Sequence, residues 1–307
     1  MHTEQLSPRY ADIDLWQPGD ILDAMIEGQL ASVAAVREAR KAIEDAAVAI
    51  EVRLRDKGRL IYAGAGTSGR LAVQDGAELM PTFSWAQERL LLLLAGGDAA
   101  MTQAIEGAED DASRAADLIA GHDIGRDDVL IAVAASGTTP FTLSCLREAG
   151  RRGALTVGIA NNPDTPLLNE AEHPIYLATG PEPIAGSTRM NAGTAQRITL
   201  SLLSTLIMIR LGRIYRGLMV EVQACNAKLA KRRERMVEHL TGQSGNSVRE
   251  ALDRANGSVK LAVLLLQGYE LADAEAVLDH VGGRLRAAIE HFAKHGSRSL
   301  QTSGDDA

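Results

Sequence analysis

Three short turns rich in small hydroxyl-bearing residues stand out as places where this chain could hold a ligand. The first is Gly64-Ala65-Gly66-Thr67-Ser68-Gly69, a literal G-x-G-x-x-G that follows an apolar run and opens a helical pattern. A turn of this kind presents free backbone N–H groups and the positive end of a helix dipole, so it favours an anion. The second is Ser136-Gly137-Thr138-Thr139-Pro140, and the third is Gly186-Ser187-Thr188-Arg189. The glycine pattern alone is also the fingerprint of a dinucleotide site, with Asp98 near the place of its ribose-binding acid. No Lys follows Gly69, which rules out a Walker A loop. A dinucleotide site needs one such turn and has no use for the other two. Thr67, Ser68 and the hydroxyls of the second and third turns suit a compact phosphate attached to a polyhydroxylated body, such as a sugar phosphate.

The elements that must position these turns can be read from hydrophobic periodicity. Between Arg59 and Gly180, short apolar runs alternate with helix-length segments: "LIYAGA", "RLLLLLAGG", "DVLIAVAASG", "ALTVGIANN" and "HPIYLATG". Runs apolar on both faces read as buried parallel strands, and the alternation predicts a doubly wound α/β domain. Ligands bind at the C-terminal ends of such strands, where the Gly- and Ser-rich turns lie. Residues 98–120 and 140–151 are expected to be connecting helices. Ile21 to Lys57 reads as two helices or one bent helix, from the three- and four-residue recurrence of Leu22, Ile26, Leu30, Val33, Val36 and Ile43. A long helix is expected from Asn191 to Leu211 and another from Leu218 to Leu240. Beyond these, Gly-containing breaks near Gly257, Gly268 and Gly282 divide a small helical bundle. The resulting division is an N-terminal helical segment 1–57, a sugar-phosphate domain 58–240, a helical bundle 241–296 and a polar tail 297–307.

Composition excludes several function classes. A net charge of −8 argues against a nucleic-acid groove, and the run Lys231 to Arg235 reads as a solvated helix face. Cys145 and Cys225 sit in apolar helical patterns, which predicts neither a disulfide framework nor a zinc site. His291 and His295 are spaced i,i+4 but lack the surroundings of a metalloprotease motif. The first residues lack a signal-peptide pattern and no apolar run reads as long enough to cross a bilayer. A cytoplasmic protein with no membrane and no nucleic-acid partner is expected.

The longer motifs "AGAGTSGRLAVQDGAELMPTF", "AGGDAAMTQAIEGAEDDA", "AASGTTP", "GSTRMNAGTAQRI" and "GLMVEVQACNAKL" resemble the sugar isomerase (SIS) fold. Within it they resemble closely the N-acetylmuramic acid 6-phosphate etherases. The resemblance runs from Gly58 to Leu229, and the C-terminal bundle is similar to that family's small ubiquitin-associated-like domain. It implies a homodimer that cleaves the D-lactyl ether of a phosphosugar, without metal or cofactor, in amino-sugar catabolism and peptidoglycan recycling. It also implies two catalytic carboxylates: Glu78 as the acid assisting lactate departure, and Glu109 as the base at C2. Gly66, Thr67, Ser68, Gly69, Ser136, Gly137, Thr138, Thr139, Ser187, Thr188 and Arg189 fall where the substrate and its phosphate would be held. This chain departs from the family pattern at Thr138, where Arg is expected, at Asn191, where Lys is usual, and at Ser7, where Asn is usual. Arg70 and Arg189 remain as cations near the site. Two other functions share the fold: a sugar-phosphate-sensing regulatory protein and a phosphosugar isomerase. A sensor need not keep an acid at position 78.

Overall fold

The structure is a computed structural model, and it describes residues 1–222 and 227–295. Cys225, the middle of the motif at 217–229 and the tail 297–307 lie outside the described residues, as does the side chain of His295. The chain divides into two compact units. The first comprises Met1–Glu78 and Ala86–Ile207; the second comprises Leu79–Trp85 and the chain from Met208.

The five apolar runs form the sheet of the first unit: β1 (Leu60–Gly64), β2 (Leu90–Leu94), β3 (Val129–Val133), β4 (Leu155–Ala160) and β5 (His173–Tyr176). All neighbouring pairs are parallel, in the order β2-β1-β3-β4-β5. Tyr62 of β1 is flanked by Leu92 of β2 and Ile131 of β3. The chain runs from β1 outward to β2 and then returns to place β3 on the other side of β1. That reversal opens a crevice above the carboxyl ends of β1 and β3, the usual place for a ligand in an open α/β sheet.

Helices cover both faces. Before the sheet come α1 (Pro18–Glu38) and α2 (Arg40–Leu54), separated by a break at Ala39, where ψ is 0°. The apolar recurrence therefore belongs to two helices. Of these, α2 buries Ile43, Ala46, Ala47 and Ile50 and packs against β3, β4 and β5, which is why the N-terminal helices belong to the first unit. After β1 comes α3 (Gly66–Ala77), whose Gly76 rests on Tyr62 and Leu92. The opposite face of the sheet is covered by α5 (Ala112–Gly121) and α6 (Pro140–Arg151). There Ile61, Leu130 and Ala132 join Ala115, Ile119, Phe141, Cys145 and Leu146 in one buried cluster. The short α7 (Pro166–Glu170) lies between β4 and β5, and α8 (Asn191–Arg210) follows the sheet. Contrary to the expectation from sequence, α8 is long and apolar enough to cross a membrane. Ala192, Ala195, Leu200, Leu203 and Ile207 along it are buried, as in a core helix.

Two predicted helices differ from the observed elements. Residues 98–111 form two 3-10 turns, Asp98–Met101 and Ala108–Asp110, and the helix begins only at α5. Gly96, Gly97 and Gly107 hold positive φ here, and the Asp111 carboxylate caps α5 by accepting from the Arg114 amide at 2.9 Å. At Leu218 the expected helix is replaced by a tight turn. Arg216 and Gly217 both take positive φ, and Tyr215 and Leu218 exchange backbone hydrogen bonds as an antiparallel bridge.

The second unit contains α4 (Leu79–Phe83), α9 (Ala227–Thr241), α10 (Asn246–Arg254), α11 (Val259–Leu266), α12 (Leu271–His280) and α13 (Leu285–His295). The breaks fall at Gly257, Gly268 and Gly282-Gly283, as the sequence indicates. Its core joins Met236 and Val237 of α9 to Val248, Leu252, Val263, Leu264, Val277 and Leu285. That burial makes α9 part of the bundle, so the boundaries expected at 57/58 and 240/241 are not those of the units. Arg213 holds the separate piece Leu79–Trp85 in this unit. Its guanidinium donates to the carbonyls of Phe83 (2.8 Å) and Ser84 (3.0 Å) and lies 5.2 Å from the Trp85 ring centroid.

Candidate active site

The loop after β1 is built by close backbone approach. A Cβ on Gly69 would lie 2.6 Å from the Gly64 carbonyl oxygen and 2.5 Å from Leu94, so only glycine lets α3 start against the strand. The Gly69 amide closes the first helical bond, to the Ala65 carbonyl, at 3.0 Å. No side chain caps this helix, so the amides of Gly66, Thr67 and Ser68 are free to meet a ligand. Together with the dipole of a twelve-residue helix they favour negative charge at this point.

A cavity of about 450 Å³ opens at this helix start. Its volume is in the range of small-molecule sites. Its walls are Ala65 to Ser68 after β1, Glu109 and Asp110 from the second 3-10 turn, and the loop after β3 with Ser136, Thr138 and Thr139. Gly186 and Thr188 come from the segment before α8, and Glu4 from the 3-10 turn His2–Glu4. The three hydroxyl-rich turns therefore meet around one space, above the crevice between β1 and β3.

The turns are not equivalent. In the second, the Ser136 hydroxyl accepts from the Thr138 amide at 3.2 Å and lies 3.2 Å from the Thr139 hydroxyl, which shapes the loop before α6. Gly137, at φ +69°, approaches Thr165 so closely that a Cβ would lie 2.2 Å from its hydroxyl. In the third, the start of α8 is already occupied. The buried Glu182 carboxylate accepts from the amides of Asn191 (2.8 Å) and Ala192 (2.9 Å). Burial raises the pKa of Glu182, and the two amides pull it back without cancelling that rise. The first amides of α8 are consequently already satisfied, whereas no side chain caps the start of α3.

Of the residues expected at the site, Gly66, Thr67, Ser68, Ser136, Thr138, Thr139, Thr188 and Glu109 line the cavity. Gly69, Gly137, Ser187 and Arg189 lie beside it in the same turns, outside its lining. Glu109 is exposed on the 3-10 turn instead of on a helix. Glu78 is exposed and is the C-cap of α3. Twelve helical residues place it roughly 18 Å along the axis from Gly66, and it does not line the cavity. Near it, the buried Asp75 accepts from the Tyr62 hydroxyl (2.9 Å) and the Ser204 hydroxyl (3.3 Å), with Arg197 at 3.8 Å.

Of the two cations expected nearby, Arg189 is exposed in the third turn, and Arg70 has other work. Arg70 donates to the carbonyls of Ala100 (2.7 Å) and Gln103 (2.9 Å) and so fixes the loop after β2. Asn191 is buried against α1, where its side-chain oxygen accepts from Gln29 at 3.1 Å and its amide group packs on Gly28. Asn191, where the family resemblance implies Lys, thus contacts α1 and does not line the cavity. Thr138 does line the cavity, and the lining contains no Lys or Arg. Glu4 also lines the cavity and is not among the site residues expected from the sequence. No group of acidic, His or Cys side chains suited to a metal occurs among the described residues.

Comparison with known proteins extends the likeness along the chain. Residues 41–149 match the glucokinase regulatory protein N-terminal SIS domain, and residues 109–209 match the SIS domain. An N-acetylmuramic acid 6-phosphate etherase of Deinococcus radiodurans is 49% identical over 288 residues, 94% of each chain. One from Streptomyces avermitilis is 44% identical over 289 residues, 94% of this chain and 93% of that one. One from Rubrobacter xylanophilus is 41% identical over 288 residues, 94% of this chain and 95% of that one. Identity of this extent, spread across both units, places the chain in the N-acetylmuramic acid 6-phosphate etherase family.

Proposed function

We propose that this protein cleaves the D-lactyl ether of N-acetylmuramic acid 6-phosphate, giving N-acetylglucosamine 6-phosphate and D-lactate. The observation that carries this reading is its near-full-length likeness to proteins named for that reaction. The cavity is consistent with it: a helix start free for a phosphate, hydroxyls for a sugar and a carboxylate beside them.

In the open-chain sugar, Glu109 removes the C2 proton. The C3–O bond then breaks as Glu78 protonates the departing lactate oxygen, leaving a C2=C3 double bond conjugated with the C1 aldehyde. Water adds to C3 with Glu78 now accepting its proton, and Glu109 returns a proton to C2. Each carboxylate ends as it began, and one water is consumed. General acid–base assistance of this kind contributes about 10²- to 10⁴-fold for each group.

The location of Glu78 bears on assembly. Within one chain the length of α3 separates it from the start of the helix, so we propose a homodimer in which Glu78 of a second copy reaches the cavity. Leu22, Ile26, Leu30 and Val33 form an exposed apolar stripe along α1, 51–65% accessible, that a second copy would cover. We place the enzyme in the cytoplasm, in amino-sugar catabolism and peptidoglycan recycling. The test is release of D-lactate from N-acetylmuramic acid 6-phosphate by the full chain. No lactate from folded protein would overturn the reading.

A further inference from the structure

The segment before α1 is bound into the sugar-phosphate cavity by residues distant in sequence. Thr3 is 1% exposed. Its amide donates to the Asn162 side-chain oxygen (3.2 Å), and its hydroxyl accepts from the Asn162 side-chain nitrogen (3.0 Å). Its carbonyl accepts from the Gly186 amide (3.0 Å). Asn162 is itself buried, and donates to the Ala135 carbonyl (2.8 Å) in the loop after β3. Thr3 is therefore fixed to two of the walls that bound the cavity.

The consequence falls on the next residue. Glu4 lines the cavity, and its carboxylate rests on Gly186, where an added Cβ would lie 2.7 Å from Oε2. The tie at Thr3 orders the backbone of Glu4 before any ligand arrives. Glu4 itself is exposed, and its ordered backbone lowers the entropic cost of bringing the side chain onto a ligand.

We propose that Glu4 is a substrate-binding residue that accepts hydrogen bonds from neutral donors on the sugar, its hydroxyls or its amide N–H. The assignment rests on the sugar-phosphate reading of the cavity given above. An ionised carboxylate only accepts, so it matches an O–H or N–H and repels a phosphate or a second carboxylate. Paired with the free amides of Gly66, Thr67 and Ser68, it gives the cavity a polarity along the ligand. The phosphate goes to α3, neutral donors go to Glu4, and the lactyl carboxylate is turned away from Glu4.

Binding of N-acetylglucosamine 6-phosphate and of inorganic phosphate to the full chain, measured by calorimetry, separates this role from a structural one. Glu4→Ala should weaken the sugar phosphate about tenfold, the scale of one hydrogen bond to a charged group. Glu4→Gln, which retains the shape and one acceptor, should weaken it less. Inorganic phosphate, which does not need Glu4, should bind both variants at least as well as the wild type. Unchanged affinity for the sugar phosphate in Glu4→Ala would overturn the proposal. So would an equal loss for sugar phosphate and inorganic phosphate in both variants, because that would mean Glu4 only shapes the cavity. Lactate release by the wild type is scored separately. Its absence beside a Glu4-dependent sugar-phosphate affinity would remove the etherase reading and leave Glu4 in place.

Discussion

At the scale of single residues, the site and the scaffold ask opposite things of their carboxylates. Glu109 stands exposed in the cavity wall, where its proposed task is to take a proton from C2. Glu109→Gln keeps the shape and removes the base, so lactate release should fall by about 10²-fold or more. Sugar-phosphate affinity should stay within a few-fold of the wild type, as calorimetry can check. Retained turnover would remove Glu109 from the mechanism. The scaffold carboxylates Asp128 and Asp75 should leave their mark on stability. Burial pushes the Asp128 pKa up, but Arg59 and the amides of Gly125 and Arg59 more than offset it and hold it below the usual value. Arg59 grips it with two bonds of 3.0 and 2.7 Å at the foot of β1 and β3. Its contribution is complete above about pH 4, the unfolded carboxyl value, and is lost as the pH falls through the lower folded value. Asp75 has the other sign. Burial raises its pKa beyond what the Tyr62 and Ser204 hydroxyls and Arg197 pull back. Its contribution is complete below about pH 4 and is lost as the pH rises through the raised folded value. Chemical unfolding across pH should therefore show Asp128→Asn flattening the acid-side loss and Asp75→Asn flattening the loss on the rising side. Identical profiles for the two variants would contradict both environments.

At the scale of elements, the parallel sheet was legible because each strand is a short apolar run ending in turn residues, and no surface alternation blurs it. Pro140 at the first helical position marked the start of α6 for the same kind of local reason. The segment after β2 misled because its Ala, Glu and Gln favour a helix, while its glycines at 96, 97 and 107 take left-handed backbone that a helix cannot use. Three hydroxyl-rich turns were visible as candidates, and the sheet brings them together. What could not be read was which helix starts are free. That depends on Glu182 reaching Asn191 from nine residues upstream. Glu4 was equally hidden, since its position depends on a tie between Thr3 and Asn162 across 159 residues. The junction of β1 and α3 gives a prediction at this scale. Gly69→Ala forces a methyl group against the backbone of Gly64, which has no rotamer by which to yield. The expected cost is about 1–3 kcal/mol of stability, as for overpacking elsewhere. Since α3 must move away from the strand, inorganic phosphate should also bind more weakly. A Gly69→Ala protein of wild-type stability and phosphate affinity would show that the close approach is not needed.

At the scale of the whole molecule, the two proposed catalytic carboxylates set a problem that one chain does not solve. Glu109 lines the cavity, while Glu78 ends α3 at the far end from the cavity and faces solvent. If a second copy supplies Glu78, each active site of the homodimer combines Glu109 of one chain with Glu78 of the other. The twofold symmetry of such a dimer then has a measurable consequence. Glu78→Ala and Glu109→Ala homodimers should each be inactive, because every site lacks one carboxylate. Subunits mixed, unfolded and refolded together form mixed dimers as about half of the population, and one of the two sites in each is complete. About a quarter of wild-type lactate release should therefore return on mixing. If both carboxylates served the cavity of their own chain, every site in every dimer would still lack one of them. No activity would then return at any mixing ratio. The same mixture tests the apolar stripe on α1. Leu22→Glu combined with Leu30→Glu, on either side of Ile26, puts charge where a second copy would have to bury it. That pair should reduce the dimer and the restored activity together, read by sedimentation and by lactate release on the same sample. Dimer retained in full would move the interface to another face of the molecule.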